Sequence, residues 1–215
     1  MPKLLIATGN PGKQRELRAL LASSGWEIVT PEQVGVHWQV EETGRTYAEN
    51  AALKALAAAR ATGLWALADD TGLEVDALNG APGLYSARFG PPRADVRPLT
   101  DADRRRYLLQ LLAEHPRPWR ARFRSVVAVA APDGLRWLAD GLCEGEIIPE
   151  ERGAHGFGYD PIFLLPTLGK TMAELDLETK NRWSHRGQAV ARLLPALRAA
   201  ARSDEEVTPW PAAHG

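Results

Sequence analysis

The sequence predicts an α/β fold built on a mixed β-sheet, and three observations point there. Over residues 3–78, apolar runs alternate with amphipathic stretches in a β-α-β-α-β order, the pattern of parallel pairing. Helix-start signals recur ahead of the helical stretches, at Thr46 with Glu49, Thr100 with Asp103 and Thr171 with Glu174. Finally, two β-rich stretches, 122–131 and 135–148, flank Pro132-Asp133-Gly134, so a long hairpin should add antiparallel strands.

In chain order, Leu4-Leu5-Ile6-Ala7 reads as a buried strand over 3–7, followed by an amphipathic helix over 13–23 that stops at Gly25, a favourable C′ residue. Residues 26–30 form a second strand, and a polar loop carries Glu41 and Glu42. Thr46-Tyr47-Ala48-Glu49 reads as a capping box opening an alanine-rich helix that ends before Gly63. Trp65-Ala66-Leu67-Ala68 is a buried strand leading to Asp69-Asp70-Thr71-Gly72 at its exit, and 73–78 alternates like a half-exposed strand. A turn at Asn79-Gly80-Ala81-Pro82-Gly83 and a Pro- and Arg-rich loop over 90–99 precede a helix from Thr100 to His115-Pro116. After the hairpin, 153–158 is a glycine-rich loop. Thr171 caps a short helix, and Ser184 caps a last one ending near Ala201, which Pro195 should kink or break. Residues 203–215 read as a loose tail.

Composition narrows the class. The 215 residues are 45% hydrophobic and 25% charged, as in ordinary globular proteins, and the net charge of −1 argues against a nucleic-acid or membrane partner. A single cysteine, Cys143, excludes an internal disulfide and a multi-cysteine zinc site. His37, His115, His155 and His214 show no metal spacing. No apolar run approaches the ~20 residues of a membrane span and no secretion signal is evident, so the expected setting is cytoplasmic. Five lysines stand against twenty-one arginines, so a lysine inside a motif suggests a need for its compact ammonium.

Thr8-Gly9-Asn10-Pro11-Gly12-Lys13 joins the first strand to the first helix. Backbone N–H groups, the helix dipole and the Lys13 charge would together hold a polyanion, phosphates foremost. The spacing is neither a Walker A loop nor G-x-G-x-x-G, and a plain glycine turn is the alternative. Asp69-Asp70 places adjacent carboxylates beside a core, which needs an answering cation; Mg²⁺, shared between carboxylates and substrate phosphates, fits, and a strand-end turn is the alternative. Asp70-Thr71-Gly72 also matches the aspartic-protease triplet. That chemistry needs two such aspartates on all-β chains, and the sequence offers one, among several well-capped helices. Phe157-Gly158-Tyr159-Asp160 offers an aromatic face and a carboxylate to a purine, or else a packed corner. Ser184-His185-Arg186-Gly187 offers donors suited to a carbonyl-bearing base, or else a capped helix start.

Together these segments, with Glu41-Glu42-Thr43-Gly44, Glu49-Asn50-Ala51, Lys54, Gly80-Ala81-Pro82-Gly83-x-Tyr85-Ser86-Ala87-Arg88 and Gly156 to Pro161, resemble the inosine triphosphate pyrophosphatase family. The resemblance runs in order from residue 3 to about 200. It implies an elongated two-lobed α/β fold with a long central mixed β-sheet flanked by helices and an active-site cleft between the lobes. It implies one bilobal domain over 1–202 and a homodimer. The implied reaction is Mg²⁺-dependent hydrolysis of XTP, ITP or dITP to monophosphate and pyrophosphate. Thr8, Gly9, Asn10, Pro11, Gly12 and Lys13 would hold the triphosphate. Asp70 would accept a proton from water and bind metal, with Glu42 (or Glu41) as second ligand, Asp69 in support and Lys54 neutralising phosphate charge. Thr71 would touch substrate; Phe157, Gly158, Tyr159, Asp160, Lys180, His185 and Arg186 would hold the base. Buried donors facing the 6-oxo group would leave a 6-amino group unpaired, a difference worth ~10⁴ or more in discrimination. A pyrophosphatase for other modified nucleotides and a non-catalytic nucleotide-binding module are the rival expectations. By the same reading, Arg186→Ala should cost ITP activity more than stability.

Overall fold

The computed structural model describes residues 1–36, 40–91 and 98–205, so His37, His214, most of the 90–99 loop and the tail beyond Glu205 lie outside the described residues. Strand β1 (Lys3–Ile6) buries Leu4, Leu5 and Ile6 completely because helices cover both faces of the sheet there. It pairs in parallel with β2 (Glu27–Val29) and with the first residues of β3 (Trp65–Val75).

Helix α1 (Pro11–Leu21) starts earlier than the sequence suggests. Asn10 is its N-cap, accepting from the Lys13 N–H at 3.1 Å, and Pro11 supplies the fixed φ of a first helical residue. The short α2 (Pro31–Val34), capped by Thr30 with Gln33, was not expected. Helix α3 (Tyr47–Thr62) starts at Thr46, which accepts from Glu49 N–H at 3.1 Å, and stops at left-handed Gly63. The expected capping box closes only halfway, because the Glu49 carboxylate takes the Arg45 N–H at 2.6 Å instead.

One correction concerns β3. Asp69-Asp70-Thr71-Gly72 lie inside an eleven-residue strand, not at a strand exit. The parallel partner β1 stops opposite Leu67, but the antiparallel partner β5 (Trp119–Ala131) continues in register from Ala66↔Ala130 to Val75↔Ala121, so nothing ends the strand. Strand β4 (Pro82–Gly83) joins β3 only at Leu73 and Glu74. Among the described residues, 68–72 therefore have no strand partner on the β1 side. Gly72 permits that approach: a Cβ there would lie 2.3 Å from the Gly83 carbonyl oxygen.

Strand β6 (Gly134–Ile147) completes the expected hairpin, and β7 (Phe163–Leu165) and β8 (Lys170–Thr171) extend it, giving the order β2-β1-β3-β5-β6-β7-β8. The sheet is mixed, parallel at one end and antiparallel at the other, and helices flank it. Helix α4 (Asp101–Leu112) covers the antiparallel end. Thr171 caps only a 3₁₀ turn, Met172–Glu174, and the helix that follows, α5 (Leu177–Trp183), is capped by Asp176. Ser184 is extended and caps α6 (His185–Glu205), accepting from Gly187 N–H at 3.0 Å. Pro195 does not break α6. The buried stripe of Val190, Leu193, Leu197 and Ala201 lies on both sides of it, and burial of about 1.5–3 kcal/mol per large side chain offsets a proline penalty of about 3 kcal/mol.

Three apolar clusters follow. Helices α1 and α6 pack Leu17, Leu21 and Leu193 on one face of the sheet, and the alanines of α3 (51, 55, 58 and 59) lie close on the other. The third cluster, around Phe123, Leu108 and Phe163, fills the antiparallel end. The site lies where these regions meet.

Candidate active site

The pleat of β3 sends consecutive side chains to opposite faces, which separates the two aspartates. Asp69 and Thr71 face α1 and α6, while Asp70 faces α3. Each carboxylate meets its own cation: Lys13 Nζ lies 3.0 Å from Asp69 Oδ2, and Lys54 Nζ lies 2.8 Å from Asp70 Oδ1. The unpaired edge of β3 opens between them, beside the loop that leads into α1. The phosphate-loop motif and the acidic pair thus share one place, although the strand does not end there.

On the Asp70 side, Lys54 also lies 3.0 Å from Glu42 Oε1, so two carboxylates converge on one ammonium. Asn50 donates to Asp70 Oδ2 at 3.5 Å and accepts from Gly44 N–H at 2.8 Å, tying the acidic loop to α3. Glu42, not Glu41, makes this contact. Burial would push Glu42 up, but Lys54 wins and holds it below the usual carboxylate value. Burial opposes the charge of Lys54, and Asp70 and Asp69 more than restore it.

On the Asp69 side, a chain of buried charges runs from α1 to the glycine-rich loop. Arg186 donates to Asp69 Oδ2 from Nε at 3.1 Å and from Nη2 at 2.9 Å, and its Nη1 pairs with Glu16. Glu16 also receives Lys180 Nζ at 2.6 Å, and Lys180 reaches Asp160 Oδ2 at 2.5 Å. Arg186 and Glu16 are each 1% exposed. Burial would raise the pKa of Asp69, but Lys13, Arg186 and Lys54 hold it well below the ordinary carboxylate range. Glu16 is held low in the same way by Arg186 and Lys180. For Asp160 the balance reverses: burial outweighs Lys180 and raises it. Burial, with Arg186 and Lys54 nearby, lowers Lys13 despite Asp69. Thr71 donates to Asp69 Oδ2 at 2.8 Å and receives Arg186 Nη2 at 3.3 Å.

A cavity of about 130 Å³ opens against this chain, walled by Lys13, Thr71, Phe157, Asp160, His185 and Arg186 among others. His185 is stacked on Phe123, with centroids 4.8 Å apart, and neither of its buried ring nitrogens has a partner. Burial, with Arg186 and Lys180 nearby, holds its pKa well below 6.5, so the ring is neutral, with one donor and one acceptor. Asp69 Oδ1 is also buried and unpartnered. His185 lines the cavity, so its unpartnered nitrogens are placed to meet a polar ligand there. Phe157 presents its ring beside Lys180 and Arg186, at 4.9 and 5.7 Å, and packs on Gly12, where a Cβ would come within 2.3 Å of the ring. This contact joins the phosphate loop directly to the glycine-rich loop and requires glycine.

Most of the expected residues therefore meet. Thr8, Gly9, Asn10, Pro11, Gly12 and Lys13 form the loop and first turn of α1, where Thr8 Oγ1 accepts from Asn10 N–H at 3.2 Å. Tyr159 also lines the cavity, but it is 5% exposed, belongs to the apolar core and donates its hydroxyl to the Ser86 carbonyl at 2.9 Å, so Phe157 is the freer aromatic face. Gly158 lies between them, with φ of +61°. Sequence reasoning named Asn50 within a motif without giving it a role and missed Glu16 and Ser125, whose hydroxyl lies 3.1 Å from Thr71 Oγ1. For Glu16 a signal existed: it lies three residues after Lys13 on α1, beside the buried stripe of Leu17 and Leu21.

Comparison with known proteins places the chain among relatives. Residues 4–196 match the Ham1 family. A protein of Desulforamulus reducens named dITP/XTP pyrophosphatase is 50% identical over 91% of this chain and 95% of its own length. A Thermus thermophilus protein of the same name is also 50% identical, over 91% of this chain and 92% of its own. The structure of a HAM1 protein from Coxiella burnetii superposes with a TM-score of 0.79 at 40% identity, covering 93% of this chain and all of that one.

Proposed function

The chain belongs to the Ham1 family, and on that premise we propose that it hydrolyses non-canonical purine nucleoside triphosphates (XTP, ITP and dITP) to monophosphate and pyrophosphate, removing deaminated purines from the nucleotide pool. The observation that supports it best is the cavity wall itself. Neutral His185 and the guanidinium of Arg186 wall the cavity with Phe157, and Arg186 shares the Asp69 carboxylate with Lys13, a cation that would take the triphosphate. A 6-oxo group fits such donors, and a 6-amino group leaves them unpaired.

In this reading Lys13 and the start of α1 hold the phosphate chain, and Lys54 neutralises its charge. Asp70 orients a water and accepts its proton as the water's oxygen bonds to the α-phosphorus and pyrophosphate departs. Asp69 stays ionised and fixes Lys13, Arg186 and Thr71. A magnesium ion suits the donors present. Glu42 and Asp70 already aim oxygens at one cationic position, and a carboxylate pair completed by phosphate oxygens is the set this ion takes. Once bound, it would offset the phosphate charge and polarise the bond to be broken. Family resemblance supports a homodimer and one bilobal catalytic unit over 1–202. No described helix is long and apolar enough to cross a membrane, and a cytoplasmic setting is proposed on the composition.

The test is product identification. With Mg²⁺, ITP should yield IMP and pyrophosphate, and chelation with EDTA should stop the reaction. Release of orthophosphate, or no turnover of ITP, XTP or dITP, would refute the proposal; preferred turnover of a modified pyrimidine in a substrate panel would reassign the base.

A further inference from the structure

The glycine-rich loop is also gripped from a second side, by the start of α4, whose Asp101 lines the same cavity. Gly158 separates Phe157 from Tyr159, and side chains of one helix take both its backbone groups. Its N–H donates to Asp101 Oδ2 at 2.7 Å, and its carbonyl accepts from Arg105 Nη1 at 2.8 Å. The two residues are four apart and so share a face of α4. Arg105 is itself steadied by Glu151, with Nε and Nη2 2.8 and 2.9 Å from the two carboxylate oxygens. Where a Cβ of Gly158 would be, the space is open, with nothing within 4 Å. Inside the loop, Phe157 N–H donates to Asp160 Oδ2 at 2.7 Å. Phe157 thus hangs between two anchors. The Asp160 anchor belongs to the buried charge chain; the α4 anchor does not, and it sits on an element that supplies none of the phosphate or acid groups.

We infer that Asp101 and Arg105 are positioning residues for the base: by holding Gly158 at both ends they set where the Phe157 ring meets the purine. This rests on the base-binding reading above. The experiment compares Asp101→Ala, Arg105→Ala and Asp101→Asn, the last keeping an acceptor oxygen. Each is assayed for KM and kcat with ITP and for inhibition by inorganic tripolyphosphate, a probe of the phosphate end alone. Loss of either charge-assisted hydrogen bond should raise the KM for ITP about tenfold. In the same variants kcat should stay within about twofold and tripolyphosphate inhibition should not move. Asp101→Asn should recover most of the loss. Unchanged KM in both alanine variants, equal weakening of tripolyphosphate, or an asparagine variant as poor as the alanine one would overturn the inference. Wild-type protein inert toward ITP would overturn the proposed function and this inference with it, a result separate from the others.

Discussion

The two ends of the site use the same ion-pair chemistry in different settings. At the acid end, Lys54, Asp70 and Glu42 have side chains 15%, 11% and 33% exposed. At the base end, Lys180, Glu16 and Arg186 are 5%, 1% and 1% exposed. Water can replace a partner readily at the first end and far less so at the second. The open end therefore suits exchange: in the proposed reaction Lys54 would pass from its carboxylates to a substrate phosphate. The sealed end suits identity, because a buried donor whose partner is wrong has no solvent to turn to.

The largest expected effect tests the open end. Asp70→Asn keeps the shape and removes the proton acceptor, so kcat for ITP should fall about 10³-fold while substrate binding survives. Pyrophosphate release near the wild-type rate would remove Asp70 from the chemistry.

Next, the contrast sharpens through stability. Arg186→Ala leaves Glu16 and Asp69 buried without their shared cation, and should destabilise by about 3–5 kcal/mol in urea unfolding. Glu42→Gln, at the half-open end, should cost less than about 1 kcal/mol. Equal losses would erase the distinction drawn here. The sequence alone suggested that Arg186→Ala would cost activity more than stability; full burial revises that expectation to a loss of both.

The smallest effect is on pH. His185 is held below its ordinary value by burial first and then by Arg186 and Lys180. As pH falls past about 6.5 the unfolded chain takes up this proton before the folded one, so folded stability drops, by at most about 1.4 kcal/mol per pH unit. Asp160 works the other way: its raised value means the folded chain holds that proton longer, a contribution lost as pH rises through that value. Melting temperatures followed from about pH 7.5 down to about 5.5 should decline, and His185→Gln should flatten the decline. A slope unaffected by the substitution would place the titration elsewhere.

What the sequence disclosed and what it concealed divide along physical lines. Local signals were readable: Thr46 as a helix start, Gly63 as a stop, the hairpin around Pro132-Asp133-Gly134, the cationic loop and the acidic pair. Their meeting was readable too, but for the wrong reason. Asp69 and Asp70 lie mid-strand, and the antiparallel partner that keeps β3 going is a long-range fact with no local mark. The same holds for Glu16, whose partners Lys180 and Arg186 are 164 and 170 residues away. Tyr159 and Phe157 looked equivalent as aromatic neighbours; only the packed core shows that Tyr159 is fixed in it while Phe157 is freer, although both line the cavity.

The central claim is that buried donors at the sealed end choose the base, and the ratio of kcat/KM for ITP to that for ATP measures it directly. The wild-type protein should favour ITP by ~10⁴, as expected when a hydrogen-bonding site rejects an analogue that leaves its donors unpaired. A ratio near one, with pyrophosphate released from both, would show that the site reads phosphates alone.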